Sequence, residues 1–164
     1  MQIPLADGLN HKVAIVTGAG ARDDGIGNGR AAAILLAASG VRVLCVDRDL
    51  ALAERTMAMI EEAGHTARAF SADVTREADC EAMVSEALST WGKLDILDNN
   101  VGIGSRGSVV DETPDTWRTV MEVNVDSMFL ASKAAIPAMR EVGGGAIINI
   151  ASISALRPRG LTAY

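Results

Sequence analysis

Residues Val13 to Gly29 read VAIVTGAGARDDGIGNG, and this stretch restricts the possible folds more than any other part of the chain. An apolar run rich in β-branched residues breaks into glycines, which open onto the alanine-rich run Arg30–Ala38. That order predicts a buried strand, a tight turn and a helix. Glycine at a strand-to-helix turn lets backbone approach a ligand closely. The unpaired N–H groups and positive dipole end of the helix then favour a phosphate. A dinucleotide suits such a turn.

The rest of the chain repeats the alternation. Lys12–Thr17, Val41–Asp47, Thr66–Ser71, Leu94–Asn99 and Ala146–Ala151 are predicted strands, the second nearly all apolar as expected when both sheet faces are covered. Helices are predicted from about Asn28 to Ser39-Gly40, over Asp49–Ala63, and from Thr75 with Met83, Val84, Ala87 and Leu88 on the buried side. A longer helix is predicted from Thr113-Pro114-Asp115 through Trp117, Met121, Val125, Phe129 and Leu130 to about Glu141, with Thr113 as N-cap and Pro114 in the first turn. Strands alternating with helices through short turns imply a parallel sheet in one α/β domain over residues 1–164. Ligands of such sheets bind beyond the carboxyl ends of the strands. Those are the places where Gly, Asp, Asn and Ser concentrate here.

Composition excludes several functions. A chain of 164 residues can bury a substantial core, but a net charge of −6 and 3% aromatic residues argue against nucleic-acid binding. Cys45 and Cys80 lie in apolar and helical patterns, as small buried hydrophobes do, and no metal set is expected; His11 and His65 read as surface or turn residues. The segment MQIPLADGLNHK lacks a signal-type apolar run, and Ala31–Ala38 is too short to span a bilayer. The expectation is a soluble, cytoplasmic protein with no membrane partner.

Three phosphate-binding patterns compete for the glycine turn. Gly20–Gly25 has P-loop spacing, but Ile26-Gly27 follows where Lys-Ser/Thr is needed. The G-x-G-x-x-G pattern starts at Gly18 and Gly20 but meets Asp23 at its third glycine. Asp47, ending the second strand, stands where a carboxylate accepts hydrogen bonds from the adenosine ribose hydroxyls and repels a 2′-phosphate. This favours NAD over NADP, although Arg48 and Arg22 are nearby.

The third pattern, T-G-x-x-x-G-x-G, resembles that of the short-chain dehydrogenase/reductase family. Thr17-Gly18-Ala19-Gly20 and Gly25-Ile26-Gly27 match its two ends, with Ala21–Asp24 making the loop three residues longer. Further along, Asp73-Val74 resembles the family pair at adenine, and Asn99-Asn100-Val101-Gly102 resembles the N-N-A-G turn that shapes the cofactor pocket. Asp98 departs from the apolar residue usual there. Asn124, Ser152 and Tyr164 match the family's helix asparagine, active-site serine and catalytic tyrosine, in order.

The resemblance implies a Rossmann-type doubly wound parallel sheet, truncated after the fifth strand. It implies an NAD(P)-dependent oxidoreductase that moves a hydride between nicotinamide and an alcohol or ketone. Tyr164 would be the acid/base, Ser152 would hydrogen-bond the substrate oxygen, and Asn124 would hold a proton-relay water. The cofactor site would comprise Gly18, Gly20, Gly25, Ile26, Gly27, Asp47, Asp73, Val74, Asn100 and Gly102. The turn Gly102–Ser108 and the loop Ala155–Ala163 would border the substrate, with Arg106, Arg157 or Arg159 available to an anionic group. The family lysine expected four residues after Tyr164 lies beyond the sequence, as do later strands, so the chain is expected to be the first two-thirds of a longer enzyme. The complete family protein is expected to form homo-oligomers, dimers or tetramers. A non-catalytic nucleotide-binding module is the alternative, and a methyltransferase on a similar sheet a weaker third.

Overall fold

The computed structural model describes residues 8–21, 25–105 and 107–153. The order of elements is β1 (Val13–Thr17), α1 (Asn28–Ala38), β2 (Arg42–Asp47), α2 (Leu50–Glu62), β3 (Ala67–Ser71), α3 (Glu77–Trp91), β4 (Ile96–Asn99), α4 (Pro114–Met121), α5 (Ser127–Glu141) and β5 (Ala146–Asn149). The strands form one parallel sheet in the order β3-β2-β1-β4-β5. From β1 the chain winds outward through β2 and β3, then returns to β4 on the other side. The carboxyl ends of β1 and β4 therefore flank the topological switch point.

Each sheet face buries its own helix pair. Ala14 and Val16 of β1, Val43 and Cys45 of β2 and Ile96 of β4 pack with Ala33 and Ala37 of α1 and Ala53 and Ile60 of α2. The alternate residues Val13, Ile15, Leu44, Val46 and Leu97 meet Cys80, Met83, Val84 and Ala87 of α3 and Ala131, Ala135 and Met139 of α5. The alanine stripes on α1 and α5 let those helices lie close to the sheet. Cys45 and Cys80 fall on opposite faces, and burial pushes their thiols up to about 12 and about 11, so neither is a nucleophile at neutral pH.

The predicted elements are present, with four adjustments. Strand five is the four residues Ala146–Asn149, and most of it is exposed. α3 starts at Glu77 instead of Thr75, because Asp73 accepts from both the N–H and the hydroxyl of Thr75 and holds it in a turn. Leu88 belongs to the exposed side of α3, not the buried one. The long fourth helix is interrupted over Glu122–Asp126, where the Ser127 N–H reaches back five residues to the Glu122 carbonyl. That π-type widening carries Asn124, and such bulges are frequent at functional sites.

The amino end of the sheet is fastened by Asp95, which is almost fully buried. Its carboxylate accepts from Lys12 Nζ at 2.8 Å and from the Val13 N–H at 2.9 Å, and it pairs with Lys93 at 3.0 Å. Burial alone would raise its pKa, but the lysine and backbone bonds outweigh burial and hold it below the usual carboxylate range. A depressed carboxylate contributes stability above its unfolded pKa, and that contribution is lost as pH falls through the folded value. Asp95→Asn is therefore expected to cost about 2 kcal/mol at pH 7. The variant and the parent should converge on acidification below about pH 4, as followed by urea denaturation across pH.

Candidate functional site

The first turn of α1 meets the end of β1 at van der Waals limits. Gly18 has φ +62°, in the left-handed region that glycine tolerates. A Cβ on Gly29 would sit 2.1 Å from the Gly18 carbonyl oxygen and 2.4 Å from Asn100 Nδ2. Only glycine lets this helix approach so closely, the role of the last glycine in a dinucleotide turn. Sequence reading stopped at Gly27, and Gly29 was the residue it missed. A signal was available in the spacing, since Gly27-Asn28-Gly29 adds a third helix-side glycine to Gly25 and Gly27.

Asn100 joins the two strands at the switch point. Its backbone N–H donates to Thr17 Oγ1 at 3.1 Å, and its Nδ2 donates to the carbonyls of Thr17 and Gly18, both at 3.2 Å. Thr17 Oγ1 donates in turn to the Asp98 carbonyl at 3.1 Å. Gly18 and Asn100 thus form one structure, a clasp between β1, β4 and the turn.

At the end of β2, Asp47 faces the same turn. Its Oδ2 accepts from the Gly20 N–H at 3.0 Å and its Oδ1 from the Asp49 N–H at 3.1 Å. A Cβ on Gly20 would lie 2.6 Å from Asp47 Oδ2 and from Leu52 Cβ. Asp49 caps α2 through Ala51, Thr113 caps α4 through Thr116, and α3 begins with Glu77 and Asp79. Among the described residues, α1 has neither a capping side chain nor an acid in its first turn. Backbone N–H groups at such a helix start, here behind Gly25, Ile26 and Gly27, suit an anion.

Asp73 holds Thr75, and its carboxyl is lowered first by the Thr75 hydroxyl and then by the Thr75 N–H. Val74 beside it is buried in the α3 core. Asn124 bonds Ile103 twice, accepting from its N–H at 2.8 Å and donating to its carbonyl at 2.9 Å, and Gly102 passes 3.5 Å from Asn124 Oδ1 by its virtual Cβ. The amide therefore splints the segment after β4. Ser152 is exposed just past β5. Tyr164, Arg22–Asp24, Arg106 and the loop Ala155–Ala163 with its two arginines lie outside the described residues. Two shallow clefts, of about 310 and 190 Å³, lie beside α2 and β3 and between α3 and α5, away from this site.

Asp98 is 3% exposed, and its Oδ1 has no hydrogen-bond partner among the described residues. Burial raises its pKa. A buried carboxylate without a partner is costly, and its removal from water is the cause of that rise.

A sequence model of the short chain dehydrogenase family matches residues 12–164. The chain is 42% identical over 152 residues to 2-(S)-hydroxypropyl-CoM dehydrogenase 3 of Xanthobacter autotrophicus, covering 93% of this chain and 58% of that protein. It is 37% identical over 157 residues to the cyclohexanol dehydrogenase of an Acinetobacter species, covering 95% and 61%. The crystal structure of a short chain dehydrogenase from Mycobacterium smegmatis superposes with a TM-score of 0.90 at 30% identity, covering 99% of this chain and 67% of that one. The chain thus spans about three-fifths of the length of these two curated relatives.

The turn's packing predicts a contrast between two glycines. Gly29→Ala forces backbone apart and is expected to cost about 3 kcal/mol in a denaturant melt. Gly27→Ala meets nothing closer than 3.6 Å and should change stability by less than about 1 kcal/mol.

Proposed function

This chain belongs to the short-chain dehydrogenase/reductase family, and we propose that residues 1–164 form the dinucleotide-binding domain of an NAD-dependent oxidoreductase acting on an alcohol or ketone. The observation that carries the reading is the meeting of an uncapped helix N-terminus, a glycine turn and a strand-end carboxylate at one switch point. The residues present fit a dinucleotide: a Cβ at Gly20 would collide with Asp47 and Leu52, so the turn there is bare backbone, and among the described residues no side chain caps the helix N–H groups. Gly18, Gly20, Gly25, Ile26 and Gly27 would receive the diphosphate. Asp47 would accept from the ribose hydroxyls, since two of its lone pairs are used internally and a carboxylate offers about four. Asp73, Val74, Asn100 and Gly102 would border the adenine and nicotinamide ends.

The nicotinamide, when bound, supplies or accepts the hydride. The protein's own part is proton handling and positioning. Tyr164 would exchange the proton with the substrate oxygen, which requires its phenol to fall from about 10 toward neutrality. Ser152 would donate to that oxygen as charge develops on it. Asn124, its side chain held on Ile103, would keep a relay water beside them. The names of the relatives, a hydroxypropyl-CoM and a cyclohexanol dehydrogenase, support a secondary alcohol as substrate class. We also infer homo-oligomerisation. Val125, Phe129 and Ile136 share one side of the fourth helical stretch, and Phe129 is 63% exposed.

Asp47→Ala should weaken NADH binding roughly ten- to a hundredfold by fluorescence titration, and should weaken NADPH less. Unchanged NADH affinity would remove the cofactor assignment. NADH production from a panel of secondary alcohols tests the reaction. Binding of NADH without turnover on any of them would instead support a nucleotide-binding module.

A further inference from the structure

The first turn of α1 buries a positive charge among alanines. Arg30 is 3% exposed and shares its inward stripe with Ala33 and Ala37. Its Nε donates to Thr56 Oγ1 at 3.0 Å, Nη1 to the Gly25 carbonyl at 2.7 Å and Nη2 to the Ala21 carbonyl at 3.4 Å. Thr56, fully buried on α2, passes its own proton to the Ala19 carbonyl at 2.7 Å. One guanidinium and one hydroxyl therefore hold the carbonyls of Ala19, Ala21 and Gly25 in the glycine turn. All of these acceptors are neutral. No carboxylate among the described residues pairs with Arg30.

Burying a cation with neutral partners is costly, and an apolar side chain would fill the position beside alanines at no such cost. The planar fork of arginine explains the choice, because it can bond several divergent carbonyls at once where lysine cannot do so with fixed geometry. An anion arriving at the α1 N-terminus would also meet a positive charge already desolvated beneath it, where dielectric screening is weak.

We propose that Arg30, assisted by Thr56, is the positioning residue of the diphosphate site: it holds the backbone of Ala19, Ala21 and Gly25 in place and sets a buried positive charge beside them. The inference rests on the dinucleotide reading above. It assigns to Arg30 no contact with the reacting atoms. Its effect is confined to the phosphate part of the ligand, so adenosine, which lacks that part, is the control.

The test compares ADP and adenosine affinities, by calorimetry and by ligand-observed NMR into the millimolar range, for the parent protein, Arg30→Met, Arg30→Lys, Thr56→Val and Thr56→Ser. Arg30→Met is expected to weaken ADP roughly tenfold or more while adenosine changes less than about twofold. Arg30→Lys should fall between, Thr56→Val should lose severalfold on ADP alone, and Thr56→Ser, which keeps the hydroxyl, should recover it. Thr56→Val is nearly isosteric and keeps the core filled, so it carries the test if Arg30→Met does not fold. Equal loss of ADP and adenosine would mean a purely structural role and overturn the proposal, as would unchanged ADP affinity in Arg30→Met and Thr56→Val. A folded parent protein that binds neither ADP nor NADH would sink the dinucleotide reading and this inference with it. A parent that binds both, with variants that bind as well, would sink the inference alone.

Discussion

The contact between Gly29 and Gly18 sets the rest of the structure. A helix can approach a strand end within backbone distance only where neither residue carries a Cβ, and here an alanine at position 29 would collide with a carbonyl. Because α1 comes in that closely, its N-terminus lies at the carboxyl end of β1 and not above the middle of the sheet. Asn100 completes the join by bonding Thr17 and Gly18 from the neighbouring strand. The switch point is therefore formed largely by closely packed backbone.

Charge is handled differently at the two ends of the same sheet. At the amino end, Asp95 is buried but fully paired, with two lysines and a backbone N–H, and its carboxylate is stabilised. Toward the carboxyl end, Asp98 is buried with one oxygen unpaired among the described residues, and burial raises its pKa. Among the described residues Arg30 is buried with neutral partners only. Buried side-chain atoms without a hydrogen-bond partner among the described residues occur at both ends, Asp98 Oδ1 on β4 and Arg42 Nε at the start of β2.

Most of the fold was legible because its signals are local. The apolar runs at Val13–Thr17 and Val41–Asp47 are strands buried on both faces, and a run of that kind needs no knowledge of its neighbours to be recognised. Gly40 ends α1 with positive φ, as its position after a helical pattern implied, and Gly64 and Gly92 follow α2 and α3 with positive φ as well. The errors came where a competing bond or a missing neighbour decides. Thr75 is held in a turn by Asp73, Leu88 turns outward, and the widening at Glu122–Asp126 leaves no trace in a pattern of apolar spacing.

The sequence by itself determined the α/β alternation, the glycine turn, the carboxylate ending β2 and the order of Asn124, Ser152 and Tyr164. These follow from residue type and spacing, which local sterics and periodicity translate directly into elements. Only the tertiary structure decided that Gly29 is a packing glycine, that Asp47 holds Gly20, that Asn124 splints Ile103 and that Arg30 is buried beneath the turn. Each of these depends on a partner from 11 to 27 residues away in the chain. Such pairings are made by the crossing of helices over the sheet, and no local spacing rule encodes which side chains that crossing brings together.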